Sequence, residues 1–476
     1  MKNYKVAICI IMTIIVAMFT VACGEFGFGF GDPTEPTPTN GNDYQYAIVY
    51  ADNLGKNAVS ACETLGEYLD EDMVVKSESK VEAADEYEIL IGATNRAESS
   101  ELTAGLGMFD YRIKASGKKL MIVGGCDDAI VNAIAHIVHN NAMPDGAIPE
   151  NYDVFFDGAD NRDEYIANPE LFLCNWALKF NVPEWMTDYE EKIAAFYDTD
   201  GRMMSSLHRG DMVNYPENSL EGVISCIKMG VDNVEIDLRK TKDNVVILFH
   251  DEILSDKTDW KEKAGKNGLP SSDKVSDWTL EEIRQLRLIH KGKVTDYIVP
   301  TLEEVFQVCN ERTTLRLDKL GVWTWDADIY PLVQKTGAWT TCLLHQSFDY
   351  AKRKQICDTI RQESGVIPPM FQSFKHDDMA QWETKLANLS DGYLYVIHYA
   401  QFEAAQAKRY IGESKEYVDK VKDDVRFYVD YNTMSGAKEN AKNFAYLYEN
   451  GIDFILVDIG LTLQQYIAEN FQPTEY

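Results

Sequence analysis

The chain has 476 residues, of which 45% are hydrophobic and 26% are charged. These proportions are typical of packed globular proteins and exclude a chain that is disordered throughout. The formal net charge of −31 at pH 7 argues against nucleic acid as a partner, because a phosphate backbone is bound by clustered Lys and Arg side chains. The acidic balance is compatible with a protein that binds a divalent cation.

The N-terminus has the pattern of an export signal. Lys2 and Lys5 precede an apolar run that ends at Ala22, which predicts a signal peptide over residues 1–22. Small Ala22 followed by Cys23 and Gly24 resembles a bacterial lipoprotein box, in which the cysteine is lipidated. We therefore expect a membrane-attached bacterial lipoprotein outside the cytoplasm. The alternative is an uncleaved membrane anchor, since the apolar run is at the short end of what spans a bilayer.

Residues 23–43 combine this cysteine with a stretch rich in Gly and Pro, which predicts a flexible linker. Residues 44–158 then mix short apolar runs with helical periodicity, which predicts a small α/β domain of unknown role. The segments 89–96 and 120–125 resemble the small domain that precedes the catalytic domain in some bacterial glycoside hydrolases.

Residues 159–201 predict a helical connector, and in residues 202–476 apolar strands alternate with helical patterns. This alternation is typical of a (β/α)8 TIM barrel, so the fold class is α/β with the barrel as the larger domain. The candidate strands are Met203–Leu207, Asn233–Leu238, Val245–Phe249, Thr314–Leu317, Thr341–Leu344, Tyr393–Ile397, Val425–Val429 and Phe454–Val457.

Two carboxylates on one candidate strand point to a metal site. Glu235 and Asp237 are two residues apart, so both side chains lie on the same face of the strand. Two carboxylates in a barrel mouth repel each other unless a cation lies between them or one of them binds a proton. Oxygen ligands favour Mg²⁺ or Ca²⁺. The alternative is a surface ion pair between Asp237 and Arg239, which would leave Glu235 unexplained.

Two histidines and an arginine also follow candidate strands. His208 and Arg209 come after the strand that begins at Met203, and His250 comes after the strand that begins at Val245. The carboxyl ends of parallel barrel strands meet at one rim, where barrel enzymes have their active sites. Two imidazoles there can act as an acid and base pair, and the guanidinium suits a phosphate.

These residues resemble the glycerophosphodiester phosphodiesterase family over about residues 203 to 470. Its motifs are matched, in order and spacing, by His208-Arg209-Gly210, Pro216-Glu217-Asn218-Ser219, Glu235-Ile236-Asp237, Thr241-Lys242-Asp243 and His250-Asp251. Two later segments, 300–305 and 451–458, also match. The resemblance implies a metal-dependent barrel that cleaves glycerophosphodiesters to glycerol 3-phosphate and an alcohol.

The resemblance also implies roles for individual residues. His208 and His250 would be the general acid and base, in an order that the sequence leaves open. The phosphate and substrate contacts would be Arg209, Glu217 and Lys319, and the ligands of one Ca²⁺ or Mg²⁺ would be Glu235, Asp237 and Asp318. Lys319 directly follows Asp318, so regular strand alternation would turn it to the opposite face, which leaves Arg316 as a possible substitute.

Two other functions fit the same residues. One is a phospholipase D-like activity on lysophospholipids, which the same barrel and residue set would support. The other is a non-catalytic surface module that binds a carbohydrate or lipid, which the presence of both His208 and His250 disfavours.

Overall fold

The computed structural model describes residues 47–474, which belong to one compact unit, Tyr46–Tyr476. The residues left out of this range are 71–72, 82–86, 108–109, 144–145, 149, 157–161, 170–171, 173, 175, 177–179, 199–200, 320–323, 344–349, 366–369, 375–394, 400–424 and 432–437. The predicted signal peptide, Cys23 and the linker 23–43 lie outside the described residues. Within the described residues, no helix has the length and apolar character needed to cross a membrane.

A six-stranded sheet forms the first part of the described chain, with the strand order β2-β1-β3-β5-β4-β6. Its strands are β1 Ala47–Tyr50, β2 Val74–Ser77, β3 Glu88–Ile91, β4 Tyr111–Ser116, β5 Lys119–Gly124 and β6 Asp153–Phe156. The first three strands and β5 pair in parallel, whereas β4 pairs antiparallel with β5 and β6. The sequence did not predict β6, because this edge strand has no continuous buried apolar run.

Three helices flank this sheet, and two of them supply most of its apolar cover. They are Lys56–Leu69, Ala97–Leu102 and Asp127–His139. The first and third are amphipathic, and their apolar faces form a core with the buried strand residues. The predicted mixture of strands and helices in this part of the chain is therefore present.

Short helices lead from the sheet to the barrel, namely Arg162–Ala167, Glu184–Thr187 and Tyr189–Tyr197. Asp188 caps the last of them, and its side chain accepts hydrogen bonds from the N–H groups of Glu190 and Glu191. It packs at the amino ends of the barrel strands. The Nε of Arg426 donates to the carbonyl of Phe196 at 2.9 Å, and Lys192 donates to the carbonyl of Arg312 at 2.7 Å.

The larger part of the chain is a (β/α)8 barrel. Eight parallel strands have the order β13-β12-β8-β7-β17-β16-β15-β14, so neighbours in the sheet follow one another in the chain and the last strand pairs with the first. These strands are β7 Met204–His208, β8 Asn233–Lys240, β12 Thr314–Asp318, β13 Cys342–Leu343, β14 Met370–Phe374, β15 Tyr395–Tyr399, β16 Val425–Asp430 and β17 Phe454–Val457. The predicted fold class is confirmed.

Helices follow most of these strands and cover the barrel. They are Leu220–Lys228, Trp260–Lys263, Leu280–Ile283, Leu302–Cys309, Tyr330–Thr336, Tyr350–Ser364, Ala441–Glu449 and Gly460–Asn470. Thr301 and Glu304 form a reciprocal capping box at the start of the helix Leu302–Cys309. A short antiparallel hairpin, β10 Ile289–His290 with β11 Lys293–Val294, lies in the long connection before that helix.

The prediction that Val245–Phe249 is a barrel strand was wrong. β9 Val246–Leu248 pairs antiparallel with the end of β8, with Leu248 opposite Leu238. Its three consecutive apolar residues are buried, and a buried apolar run does not reveal the direction in which a strand pairs. The barrel strand that the sequence analysis omitted is β14, whose sequence includes the polar residues Gln372 and Ser373.

A buried ion-pair network joins the amino ends of the first two barrel strands. The guanidinium of Arg202 binds both carboxylate oxygens of Asp232, at 2.7 and 3.1 Å, and also binds Glu191 at 2.9 Å. Burial alone would raise the pKa of Asp232. Attraction to Arg202, with hydrogen bonds from Arg202 and from the N–H of Ser205, outweighs burial and lowers this pKa overall.

We expect Asp232→Asn to reduce the free energy of unfolding at pH 7 by about 3 to 5 kcal/mol, because it leaves Arg202 buried without its principal counter-charge. A lowered pKa in the folded protein stabilises the fold above the ordinary aspartate pKa of about 3.9. The difference in the free energy of unfolding between wild type and variant should therefore shrink as the pH falls below about 3.9, towards the lowered pKa of Asp232 in the folded protein. Denaturant titrations at several pH values measure both effects. Asp358→Asn is the control, because its pair with Lys354 is exposed and should contribute at most about 0.5 kcal/mol.

Candidate active site

Three carboxylates meet at the carboxyl ends of β8 and β12. Glu235 and Asp237 lie on the same face of β8, as the spacing predicted, and both are buried. Asp318 ends β12 and is in register with Asp237. One oxygen from each of the three side chains lies within 4.8 Å of the other two. The three residues predicted as metal ligands are therefore brought together.

The carboxylate cluster carries an electrostatic cost. Burial raises the pKa of Glu235, and the negative charge of neighbouring Asp237 raises it further. A cation between the carboxylates would remove this repulsion. Because all three side chains offer hard oxygen ligands, Ca²⁺ and Mg²⁺ are the ions that this donor set suits.

Asp237 has partners on two sides. Its Oδ2 lies 3.1 Å from the Nε of Arg209 and accepts a hydrogen bond from the Nδ2 of Asn218 at 3.0 Å. Its Oδ1 lies 3.7 Å from the Nζ of Lys319. Arg239 instead donates two hydrogen bonds to the carbonyl of His250, at 2.7 and 3.1 Å. The alternative of a surface pair between Asp237 and Arg239 is therefore not the arrangement that the structure shows.

Three of the side chains that contact Asp237 belong to residues with a left-handed backbone conformation. Arg209, Asn218 and Lys319 have φ values of +57°, +55° and +64°, a region that side-chain-bearing residues adopt rarely. At Lys319 the left-handed turn ends the strand alternation, which is why its ammonium reaches Asp237 although alternation predicts the opposite face. Gly210 has φ +84°, and a Cβ there would lie 3.2 Å from the backbone of Gly222, so this position requires glycine.

Arg316 lies deeper in the barrel than Lys319. It is in register with Glu235, and its NH1 donates to the hydroxyl of Tyr428 at 2.9 Å and to Asp430 at 3.0 Å. Its side chain is 7% exposed, against 29% for Lys319. Of these two candidate phosphate contacts, Lys319 is the more accessible.

His208 ends β7 beside the carboxylate cluster. Its Nδ1 lies 2.9 Å from Oδ1 of Asp458, and its Nε2 lies 4.0 Å from Oε2 of Glu235. Burial would lower the pKa of His208, but the hydrogen bond to Asp458 and the charge of Glu235 outweigh burial and raise it. The sequence analysis did not assign Asp458 to the site. The available signal was its position directly after the last strand, which pairs with the first.

The backbone of His250 comes next to β8 by a different route from the one predicted. It follows β9, which returns antiparallel along β8, so that the N–H of Phe249 donates to the carbonyl of Asp237 at 2.9 Å. The backbone of His250 is therefore one residue beyond the pairing of Phe249 with Asp237. Its Nδ1 lies 2.6 Å from Oδ1 of Asp251, and its side chain is 27% exposed.

Glu217 lies between two cations. Its Oε1 accepts a hydrogen bond from NH1 of Arg209 at 3.1 Å, and its Oε2 accepts one from Nζ of Lys257 at 2.9 Å. The next turn is fixed by Ser219, whose hydroxyl caps the helix Leu220–Lys228. Lys257 is a further residue that the sequence analysis did not assign to the site.

A family comparison identifies this arrangement of residues. Residues 208–458, more than half of the chain, match the model of the glycerophosphoryl diester phosphodiesterase family. The chain belongs to this family. The matched residues begin at His208 and end at Asp458, so the site described above lies within the glycerophosphoryl diester phosphodiesterase region.

Two curated relatives have the name glycerophosphodiester phosphodiesterase. The protein from Caldanaerobacter subterraneus subsp. tengcongensis is 34% identical over 110 residues, which is 23% of this chain and 41% of the relative. The protein from Bacillus altitudinis is 33% identical over 116 residues, which is 23% of this chain and 42% of the relative. The chain thus spans less than half the length of these curated relatives.

A solved structure is also similar. It is a glycerophosphoryl diester phosphodiesterase from Parabacteroides distasonis, 22% identical in sequence, with a TM-score of 0.44. The similarity covers 60% of this chain and 94% of the other.

We expect Asp318→Asn to remove the stabilisation that added Ca²⁺ or Mg²⁺ gives to the protein. An ion that binds only the folded state, at about 100 times its Kd, raises the free energy of unfolding by about 2.7 kcal/mol. The variant lacks one of three carboxylate ligands, so its melting temperature should respond little to the ion. Thermal unfolding in EDTA and in added Ca²⁺ or Mg²⁺ measures this response.

Asp326→Asn is the matched control, because Asp326 pairs with Lys352 and its side chain is 71% exposed. It should keep the full response to the ion. An unchanged response in Asp318→Asn would show that this carboxylate is not a ligand.

Proposed function

We propose that the chain is a metal-dependent phosphodiester hydrolase that cleaves glycerophosphodiesters into glycerol 3-phosphate and an alcohol. The observation that carries this proposal is the meeting of His208, Arg209 and the three carboxylates at one end of the barrel, within the region that matches the family. Family members generally use a divalent metal.

The donor set fits such an ion. Glu235, Asp237 and Asp318 would hold it, because they are close together, and the repulsion that raises the pKa of Glu235 is what a cation relieves. When bound, a divalent cation supplies neutralisation of the negative charge that builds up on the phosphoryl oxygens.

Arg209 and Lys319 would bind the phosphate. The guanidinium of Arg209 is held by Asp237 and Glu217, at 3.1 Å from each, so its planar set of donors is fixed before substrate arrives. Lys319 adds a second positive charge on the opposite oxygen of Asp237. Both cations therefore lie beside the carboxylates that would hold the ion.

His208 and His250 would transfer the protons. In the scheme that the family resemblance implies, a glycerol hydroxyl attacks phosphorus and the bond between phosphorus and the alcohol oxygen breaks. One imidazole accepts the proton of the attacking hydroxyl, and the other donates a proton to the departing alcohol. Water then opens the cyclic phosphate to give glycerol 3-phosphate. Asp458 holds Nδ1 of His208, which directs Nε2 towards the site.

We also propose that the protein is a lipoprotein outside the cytoplasm, attached through Cys23 and the linker 23–43. The sequence around Ala22, Cys23 and Gly24 supports this proposal.

The direct test is hydrolysis of glycerophosphoethanolamine compared with a long-chain lysophospholipid. We expect release of glycerol 3-phosphate from the first, whereas a phospholipase D-like enzyme would prefer the second. His208→Ala and His250→Ala should each reduce kcat by about 10² to 10⁴, and EDTA should abolish turnover until the ion is restored. Circular dichroism should show the native fold in both variants.

His136→Ala is the control, because His136 lies on a helix of the N-terminal sheet, outside the barrel, and it should keep wild-type turnover. Full activity in His208→Ala or His250→Ala, or in the presence of EDTA, would overturn the proposed mechanism. Binding without any turnover by the wild type would instead favour the surface module.

We expect Asp458→Asn to lower kcat by about 10² or more while KM changes by less than about threefold. The amide no longer fixes the tautomer and orientation of His208, as the carboxylate does in acid–base pairs of this kind. Steady-state kinetics separate kcat from KM, and Asp458→Glu should recover part of the loss because it keeps the charge. An equal fall in Asp458→Glu and Asp458→Asn, together with a lower melting temperature, would indicate a purely structural role.

A further inference from the structure

A row of alternating charges leads from the carboxylate cluster to solvent. Asp237 contacts Arg209 at 3.1 Å, Arg209 contacts Glu217 at 3.1 Å, and Glu217 contacts Lys257 at 2.9 Å. The exposed fraction of the four side chains rises in the same order, from 2% to 9%, 18% and 33%. Lys257 is therefore the outermost charge of a row that begins at the proposed metal ligands.

The backbone of Lys257 is held in place by the neighbouring hairpin. Its carbonyl accepts a hydrogen bond from the N–H of Ile289 at 2.8 Å, and its own N–H donates to the carbonyl of Leu254 at 3.4 Å. The next residue, Thr258, forms an antiparallel bridge with Leu288. The backbone from which the Lys257 side chain extends is thus a structured part of the connection between β9 and the helix Leu302–Cys309.

The chemistry of Lys257 suits an anionic group. An ammonium has three N–H donors, and among the described residues Glu217 is the carboxylate within 4.0 Å of it. Glu217 separates Lys257 from Arg209, the proposed phosphate contact. Lys257 thus lies one carboxylate away from Arg209, in the direction of greater exposure.

We infer that Lys257 binds a negatively charged group on the alcohol part of the substrate and so selects diesters whose alcohol carries an additional phosphate or carboxylate. This inference rests on the proposed function, because it takes the position of the phosphate from it. On this inference a cationic alcohol such as choline would place a positive charge beside the ammonium, and like charges repel each other. Lys257 is partly exposed, so water and salt weaken the effect, and we expect discrimination of about tenfold, near the low end of what a hydrogen bond to a charged group contributes.

The test uses two substrates that differ by one phosphate group. They are glycerophosphoinositol and glycerophosphoinositol 4-phosphate, assayed with the full chain in the presence of the divalent ion. In the wild type, kcat/KM for the phosphorylated substrate should exceed that for the other by about tenfold, and glycerophosphocholine should be the poorest of the three. In Lys257→Met the ratio between the two inositol substrates should fall to about one, and in Lys257→Glu it should reverse.

Two control variants separate charge recognition from structural effects. Lys257→Arg keeps the charge and should keep the ratio. Lys261→Met removes an exposed lysine four residues further along the same segment and should leave both kcat/KM values unchanged. A fall of equal size for both inositol substrates in Lys257→Met would overturn the inference, because it would show that Lys257 only positions Glu217. A wild type with no preference would overturn it as well.

Failure of the proposed function has a different signature. If the wild type cleaves none of the three diesters, the hydrolase proposal fails, and Lys257 is then tested by calorimetric binding of the same two inositol compounds. A tenfold preference for the phosphorylated compound that is lost in Lys257→Met would sustain the inference. Equal affinities in the wild type would overturn it.

Discussion

The mutual repulsion of three neighbouring carboxylates, of which Glu235 and Asp237 are buried and Asp318 is half-buried, is the constraint on which the candidate site depends. Glu235, Asp237 and Asp318 each bring one oxygen within 4.8 Å of the other two at the carboxyl end of the barrel. Such a cluster is unfavourable unless positive charge and hydrogen-bond donors surround it. The surroundings supply both, through the guanidinium of Arg209, the ammonium of Lys319, and the backbone N–H of Arg209, which donates to Glu235 at 3.2 Å.

Buried carboxylates at the two ends of the barrel have pKa values that are shifted in opposite directions. At the amino ends, Asp232 is paired with Arg202 in a two-point contact, and the pKa of its carboxyl is lowered. At the carboxyl ends, burial raises the pKa of Glu235, and the charge of Asp237 adds to this effect. The first arrangement stabilises the fold, whereas the second leaves negative charge that is not fully compensated by the residues around it. This difference makes one end structural and the other a candidate for cation binding.

Local sequence patterns predicted the residues whose positions depend on local geometry. The spacing of Glu235 and Asp237 places both on one face of a strand, and any regular strand would do the same. The same reasoning gave the wrong face for Lys319, because its left-handed backbone ends the strand alternation that the prediction assumed. The sequence analysis assigned β9 to the barrel because an apolar run predicts a buried strand but does not give the direction in which it pairs. Here β9 pairs antiparallel with the last residues of β8, Leu238 to Lys240.

Other residues could not be found locally because their partners are far away in the chain. His208 and Asp458 are 250 residues apart, and Lys257 is 40 residues from Glu217. Neither pair has a spacing that a helix or strand would produce. Their meeting requires the three-dimensional arrangement of the strands and of the long connection that carries Lys257.

The pair of His208 and Asp458 shows how the site depends on closure of the barrel. β17 pairs with β7 in parallel, with Val457 opposite Leu207. The residues that come next in the chain, Asp458 and His208, therefore lie side by side. β7 also pairs with β8 with His208 opposite Glu235, so the same imidazole contacts the carboxylate cluster on its other side. The first strand therefore holds a histidine between residues supplied by the second strand and by the last. Because that contact exists only when the last strand has docked on the first, the orientation of His208 is a property of the closed barrel rather than of any shorter segment of the chain.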